Sequence, residues 1–132
     1  MLYLESIVMD KFKSFKHNEL FFNKGFTCVV GPNGSGKSNI CDALLFGLGE
    51  NSLRRLRANR LEFLINMSSK KNQSKGTTGK TYVKLEFNGD DRITVTRAAR
   101  SDGKSLYRLN GKRMTRQEDR NYRRSYLMLI FE

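Results

Sequence analysis

Gly31, Gly36, Lys37 and Ser38 stand at the spacing G-x-x-x-x-G-K-[ST]. These residue types at these offsets suit one chemistry, the cradling of a polyphosphate. The glycines let the backbone turn so that successive N–H groups point inward, and a helix opening at that point adds partial positive charge. Lys37 has the reach for the β and γ phosphates, and Ser38 has the hydroxyl to hold Mg²⁺. The expected ligand is ATP with Mg²⁺, on Asn33, Gly34, Ser35, Gly36, Lys37, Ser38 and Asn39, with Ser38 also the metal ligand. A glycine-rich turn carrying a solvated lysine is the plain alternative, so the flanking elements have to decide.

Before the loop, Phe26, Cys28, Val29 and Val30 read as a strand buried on both faces. After it, Ile40, Ala43, Leu44 and Leu48 fall at helical spacing, with Gly47 and Gly49 as end signals. A strand, a glycine loop and a helix are the context the motif requires. Further upstream, residues 2–9 form an expected strand, Lys11 to Asn18 breaks it with charge, and Glu19 to Phe22 begins another. Downstream, Leu61, Phe63, Leu64 and Ile65 are a short apolar segment of open type, and 67–80 has the composition of a mobile loop. Thr81 to Asn88, Arg92 to Arg100 and Ser105 to Asn110 alternate as an antiparallel meander. Asn110-Gly111 then marks a tight turn, Lys112 to Met114 returns, and Thr115 caps a short helix.

The chain has 132 residues, the length of one domain, and 38% of them are hydrophobic, enough for one modest core. Apolar runs such as Leu127–Phe131 fall far short of the roughly 20 residues of a transmembrane helix, so no membrane is expected. Residues 1–10 do not read as a signal peptide. The formal charge is +12, divided as +3 in residues 1–66 and +9 in 67–132. A chain this basic attracts polyanions. Cys28 and Cys41, with His17 the single histidine, indicate neither a zinc site nor a disulfide framework, which fits a reducing cytoplasm. The cysteines read as small buried hydrophobes, His17 as a surface residue, and Glu86 and Asp42 as strand-face and helix-face charges.

Gly31-Pro-Asn-Gly-Ser-Gly-Lys-Ser-Asn-Ile40, followed by Asp42-Ala43 and Phe46-Gly-Leu-Gly49, resembles the Walker A segment of the structural maintenance of chromosomes (SMC) ATPases. Lys11-Phe-Lys-Ser-Phe15 is similar to the segment preceding it there, and Asp102-Gly-Lys-Ser-Leu-Tyr-Arg-Leu-Asn-Gly-Lys112 to a strand and turn after the meander. RecF-type and double-strand-break repair ATPases share the loop, but the tyrosine-bearing strand with Leu109-Asn-Gly-Lys112 favours SMC. The resemblance implies an α/β fold: a P-loop ABC-type half-head, with a mixed sheet around the phosphate-loop helix and an antiparallel meander. It implies that residues 1–120 are the N-terminal nucleotide-binding lobe, with 121–132 an unassigned tail. It also implies function in chromosome condensation and segregation, in the cytoplasm on the nucleoid. The implied partners are a C-terminal head lobe, a second SMC head in a dimer, accessory SMC-complex subunits and non-specifically bound DNA. Signature motif, Walker B and catalytic glutamate belong to the other lobe, so no catalytic residue is expected here and the chain alone is expected to be inactive. The family's Mg²⁺-sensing glutamine has no counterpart in Asn121 to Glu132, and Gln73 and Gln117 stand elsewhere.

The same resemblance places Lys13 and Ser14 near the nucleotide, against the alternative of a solvated loop anchored by Phe12 and Phe15. Arg57 resembles a loop arginine that reaches toward nucleotide or DNA when two heads meet; an exposed, salt-bridging arginine is the alternative. In the second half, Lys70, Lys71, Lys75 and Lys80, then Arg97, Arg100, Lys104, Arg108, Lys112, Arg113, Arg116, Arg120, Arg123 and Arg124, compose a candidate phosphate-contacting face. Arg113, Arg116, Arg120, Arg123 and Arg124 are its main DNA-contact candidates. Two competing functions stay open on sequence: a non-catalytic basic DNA-binding module with a vestigial phosphate loop, and a stand-alone P-loop NTPase. The latter needs a carboxylate after a buried apolar strand, and no four-residue apolar run here ends in Asp.

Overall fold

The computed structural model describes residues 3–25, 28, 30–31, 36–49, 53–54, 56, 58, 64–66, 79–115 and 118. Its elements in chain order are β1 (Tyr3–Phe12), β2 (Phe15–Phe21), α1 (Lys37–Gly47), β3 (Lys80–Asn88), β4 (Ile93–Arg100), β5 (Ser105–Leu109) and β6 (Lys112–Arg113). The strands form one sheet in the order β2-β1-β3-β4-β5-β6, every pair antiparallel.

Alternation in β3 sets the layering. Thr81, Val83, Leu85 and Phe87 are buried on one face, while Tyr82, Lys84 and Glu86 on the other are half-exposed. Ile7 and Met9 of β1 join the buried face, and α1 lies across it with Ala43, Phe46 and Gly47 turned inward. The approach is closest at Gly47, where a Cβ would come within 2.9 Å of Leu85 Cδ1 and 3.1 Å of Val83 Cγ1. Only a residue without a side chain lets the helix sit this low. Each fully buried Leu, Ile or Phe in such a core stabilises by about 1.5–3 kcal/mol.

The meander follows the sequence expectation. Asn110 and Gly111 take φ of +50° and +81°, the pair of left-handed residues that a tight hairpin turn requires. Thr115 begins the expected cap: its Oγ1 accepts from the Glu118 amide at 3.2 Å, while its own amide donates to Glu118 Oε2 at 3.2 Å. That reciprocity is a capping box.

Three expectations are corrected. Lys11 to Asn18 does not break the strand. β1 runs through Phe12 and reverses over two residues into β2 at Phe15, with Phe12 and Phe15 paired. Phe12 is fully buried with its ring 5.4 Å from that of Phe46, and this anchor outweighs the charges. The polar run Lys16 to Glu19 meets little burial cost because β2 is an edge strand and those residues are exposed. Second, the strand expected over Phe26 to Val30 is not seen among the described residues, whose strand pairs are all antiparallel. Of the segment expected to supply a two-sided buried strand, Phe26, Thr27 and Val29 lie outside the described residues. Cys28 is exposed, Val30 is 86% exposed, and neither belongs to a strand. Third, both cysteines are exposed, Cys41 because the inward face of α1 is taken by Asp42, Ala43, Phe46 and Gly47.

Leu64 and Ile65 resolve the open apolar segment as core: both are buried, and Ile65 bridges to Phe12. The expected loop over 67–80 lies outside the described residues except for Gly79 and Lys80.

Candidate functional site

Gly36 carries the local geometry. It caps α1 at φ +97° and ψ +7°, a left-handed conformation that costs other residues roughly 1–2 kcal/mol. It brings no side-chain cap, and the first turn of α1 contains no acidic residue. The Asn39 amide turns back to the Gly36 carbonyl at 3.0 Å, and Gly36 itself offers the opening amides no side-chain acceptor. The result is a helix end that favours anions. Lys37 opens that turn, and its ammonium donates to the Gly31 carbonyl, spanning the loop from end to end. Ser38 is exposed beside it. Asn33, Gly34 and Ser35 lie outside the described residues, as does Arg57.

The β1–β2 turn supplies a second wall. Asn39 Nδ2 donates to Ser14 Oγ at 2.9 Å, and a Cβ on Gly36 would stand 3.1 Å from the same oxygen. Ser14, Gly36, Lys37, Ser38 and Asn39 are thereby brought together. Lys13 is beside them but faces elsewhere. Its ammonium lies 2.7 Å from Asp42 Oδ2 and 2.6 Å from the Leu56 carbonyl, with only 11% of the side chain exposed. The structure corrects the reading of Asp42 as a helix-face charge: it is 3% exposed and tied to Lys13, because an ionised carboxylate among Ala43 and Phe46 requires a paired cation.

The turn itself is over-determined. Lys11 and Lys13 hold φ of +53° and +48°, unfavourable for lysine. The Lys13 amide donates to the Leu64 carbonyl at 2.7 Å, Asn66 Nδ2 donates to the Lys13 carbonyl at 2.8 Å, and the Asn66 amide donates to the Lys11 carbonyl at 2.8 Å. Sequence reasoning missed Asn66 altogether.

At the other end of α1, Arg97 corrects its assignment to a phosphate-contacting face. It is 4% exposed, donates from Nη1 to the Phe46 carbonyl at 3.1 Å, and stacks 4.2 Å from the Phe46 ring and 5.0 Å from that of Tyr107. A cation there complements the negative end of the helix. Strand parity carried the signal, since Ile93, Arg97 and Ala99 share the buried face of β4. Glu86 is a strand-face charge as expected, 3.2 Å from Lys84 and 3.7 Å from Arg92. His17 is exposed, 2.9 Å from Asp10 across the β1–β2 pair. Of the DNA-contact candidates, Arg113 is exposed on β6, and Arg116, Arg120, Arg123 and Arg124 lie outside the described residues. Among the described residues no group of His, Cys, Asp and Glu is placed to hold a metal ion, and no helix is long and apolar enough to cross a membrane.

Among the described residues, an antiparallel sheet covered by a helix that opens from a left-handed glycine into Lys-Ser defines the class: the α/β fold of the phosphate-loop ABC-type ATPase heads. Within that class the chain belongs to the RecF/RecN/SMC N terminal domain family, whose model matches residues 3–128. The chromosome partition protein Smc of Pyrococcus furiosus is 41% identical over 128 residues, covering 89% of this chain and 11% of its own length. The Smc head domain of Pyrococcus furiosus, solved with an extended coiled coil and bound to the C-terminal domain of ScpA, superposes with a TM-score of 0.80. It is 41% identical and matches 90% of this chain and 32% of that one. An SMC ATPase studied for ATP-driven dimerization and DNA-stimulated activation gives a TM-score of 0.75 at 40% identity, over 89% of this chain and 75% of that one. The chain thus spans about a tenth of the length of the curated relatives it matches.

Proposed function

We propose that this chain is the ATP-binding N-terminal lobe of an SMC chromosome condensation and segregation ATPase, completed by a C-terminal head lobe. The observation that carries this reading is Gly36 at φ +97°, turning the backbone into a helix that begins Lys37-Ser38 with no acid in its first turn. Phosphates fit that end by charge and by hydrogen bonding. Lys37 would exchange the Gly31 carbonyl for the β and γ phosphates, with Asn33, Gly34, Ser35 and Gly36 supplying backbone amides. Ser38 would hold Mg²⁺, which neutralises phosphate charge when bound. Ser14 and Asn39 would form the adjoining wall, and Lys13 would fix the turn that carries Ser14.

Asp42 is the single acid on α1, and Lys13 occupies it. It is therefore unavailable to orient an attacking water, and the chain alone would turn ATP over slowly or not at all. The boundaries 1–120 for the lobe and 121–132 for a tail, the pairing with a second head, accessory subunits, chromosome association and non-specific DNA contact all belong to this proposal. Support for the partners comes from relatives: one head bound to ScpA and one family member described by dimerization and DNA stimulation.

Isothermal titration of Mg²⁺-ATP into the wild-type chain and Lys37→Ala tests the reading. Loss of a charged phosphate contact of about 1.5–3 kcal/mol weakens binding roughly 10- to 150-fold. Equal binding by the two proteins would remove the site.

A further inference from the structure

Three Asn-Gly pairs occur in the chain, Asn33-Gly34, Asn88-Gly89 and Asn110-Gly111, and the first lies outside the described residues. An asparagine before glycine has a reaction of its own open to it. The following amide nitrogen can attack the side-chain carbonyl carbon, and a neighbour without a side chain leaves that approach unobstructed. Whether the fold permits the attack depends on where it holds the asparagine side chain. Both described pairs stand at turns, one between β3 and β4 and one between β5 and β6, with Gly89 and Gly111 exposed.

Their side chains are engaged differently. Asn110 is clasped twice by Thr94: its amide donates to the Thr94 carbonyl at 2.8 Å, and its Oδ1 accepts from the Thr94 amide at 2.8 Å. Turning the Asn110 carbonyl carbon onto the Gly111 nitrogen breaks the second of these bonds. The Asn88 side chain folds instead onto its own successor, with Oδ1 accepting from the Gly89 amide at 2.8 Å. Cγ stands one C=O bond from that oxygen, so it lies within about 4 Å of the Gly89 nitrogen. Atoms held at this range are close to the roughly 3–3.5 Å of a near-attack geometry. Gly89, Asp90 and Asp91 follow as exposed bends beyond the last β3–β4 pair, Phe87 with Ile93, and their adjustment breaks no ladder contact.

We propose that Asn88 is a site of spontaneous deamidation in the folded chain, and that Thr94 protects Asn110 from the same reaction. Solvent base removes the Gly89 amide proton, and the nitrogen bonds to Asn88 Cγ. The Cγ–Nδ2 bond then breaks, and Nδ2 takes a proton from solvent and leaves as ammonia. The product is a five-membered succinimide. Water opens this ring at either carbonyl carbon. Cleavage between the nitrogen and Cγ leaves an aspartate at position 88, whereas cleavage at the main-chain carbonyl carbon routes the chain through Cγ as isoaspartate. Nothing is oxidised or reduced. Either product puts a new carboxylate two residues before Asp90 and lowers the formal charge of +12 by one. Isoaspartate also inserts a methylene into the main chain at the Tyr3–Asn88 pair, where β1 and β3 begin their register.

The test incubates the whole chain in mildly alkaline buffer, with and without urea, and follows the amide-to-acid mass increase by mass spectrometry in peptides containing position 88 or 110. In native buffer Asn88 should convert roughly 2- to 10-fold faster than Asn110, the range that one net hydrogen bond at Asn110 supports. In urea neither side chain is held, and the two rates should converge. Thr94→Pro removes the donor to Asn110 Oδ1 and should raise the Asn110 rate while leaving that of Asn88 unchanged. Should that variant not fold, the wild-type comparison in native buffer and urea still decides. Equal native rates, or a faster Asn110, overturn the proposal. So does a difference that persists in urea, which would belong to the flanking sequence and not to the fold. A native Asn88 that converts only after unfolding, or a folded Thr94→Pro chain with an unaltered Asn110 rate, overturns it as well.

Discussion

Gly47→Ala sets two effects of opposite sign against each other. In a bare helix the change is favourable by about 0.8–1 kcal/mol, and less at a terminal position such as this one. Here the new Cβ would lie 2.9 Å from Leu85 Cδ1, 3.0 Å from Leu85 Cγ and 3.1 Å from Val83 Cγ1. Leu85 and Val83 are both 0% exposed, so neither has open space to retreat into. Overpacking of this kind costs about 1–3 kcal/mol, which outweighs the reduced gain at this terminal position and leaves a net loss of up to about 2 kcal/mol. Urea unfolding followed by circular dichroism should show a lower midpoint with an unchanged slope. In a Leu85→Ala background the two closest contacts are gone and only Val83 Cγ1 at 3.1 Å remains, so the Gly47→Ala penalty should shrink or reverse, giving a coupling that additive sites do not show. The eleven-residue helix is short and stiff. Lifting its foot also moves Lys37 at its head, and ATP affinity should fall in parallel. A Gly47→Ala chain more stable than wild type would show that the helix does not sit on β3 as described.

Other perturbations separate the site's parts. Asp42→Ala leaves the Lys13 ammonium buried beside the Leu56 carbonyl alone and should cost about 3–5 kcal/mol in the same unfolding assay, while Lys13→Met/Asp42→Leu should recover most of that loss. Gly36→Ala forces alanine to φ +97° with its Cβ 3.1 Å from Ser14 Oγ, so a loss of roughly 1–2 kcal/mol and weaker ATP binding by titration are expected. DNA binding, measured by fluorescence anisotropy on two unrelated duplexes, should be weak, indifferent to sequence and steeply salt-dependent. Changing Arg113, Arg116, Arg120, Arg123 and Arg124 to Glu should abolish it; undiminished binding would show a merely solvated surface.

Legibility followed the range of the interactions. Period-two alternation announced β3, the Asn110-Gly111 pair announced its turn, and Thr115 announced a cap, because each is decided within a few residues. The Gly36-Lys37-Ser38 junction was legible for the same reason. The β1–β2 hairpin was not, since its charges masked the Phe12 and Phe15 anchors, and the contact that decides between them is the Phe12 ring on Phe46. Nor was the role of Lys13. Its partners include a carbonyl 43 positions away, and a backbone acceptor leaves no trace in residue type. Asp42 did leave one, as a lone acid in a helix otherwise apolar at its inner face, a pattern that calls for a buried cation.

The charge excess gains a location from the same reasoning. A formal +9 in residues 67–132 treats every cation as equally available. The fold does not. Arg97 is enclosed by Phe46 and Tyr107, and Lys84, Arg92 and Arg100 lie within 3.2 Å of Glu86, Glu5 and Asp102. Lys104, Arg108, Lys112 and Arg113 instead stand exposed on β5, β6 and the turn before them. If those four alone met phosphates, affinity would fall roughly 100-fold between 50 and 200 mM salt. A steeper fall must draw on further cations, among them Lys80 on β3 and, outside the described residues, Arg116, Arg120, Arg123 and Arg124. The salt slope, more than the affinity, therefore measures how far the basic surface extends beyond the β5–β6 end of the sheet.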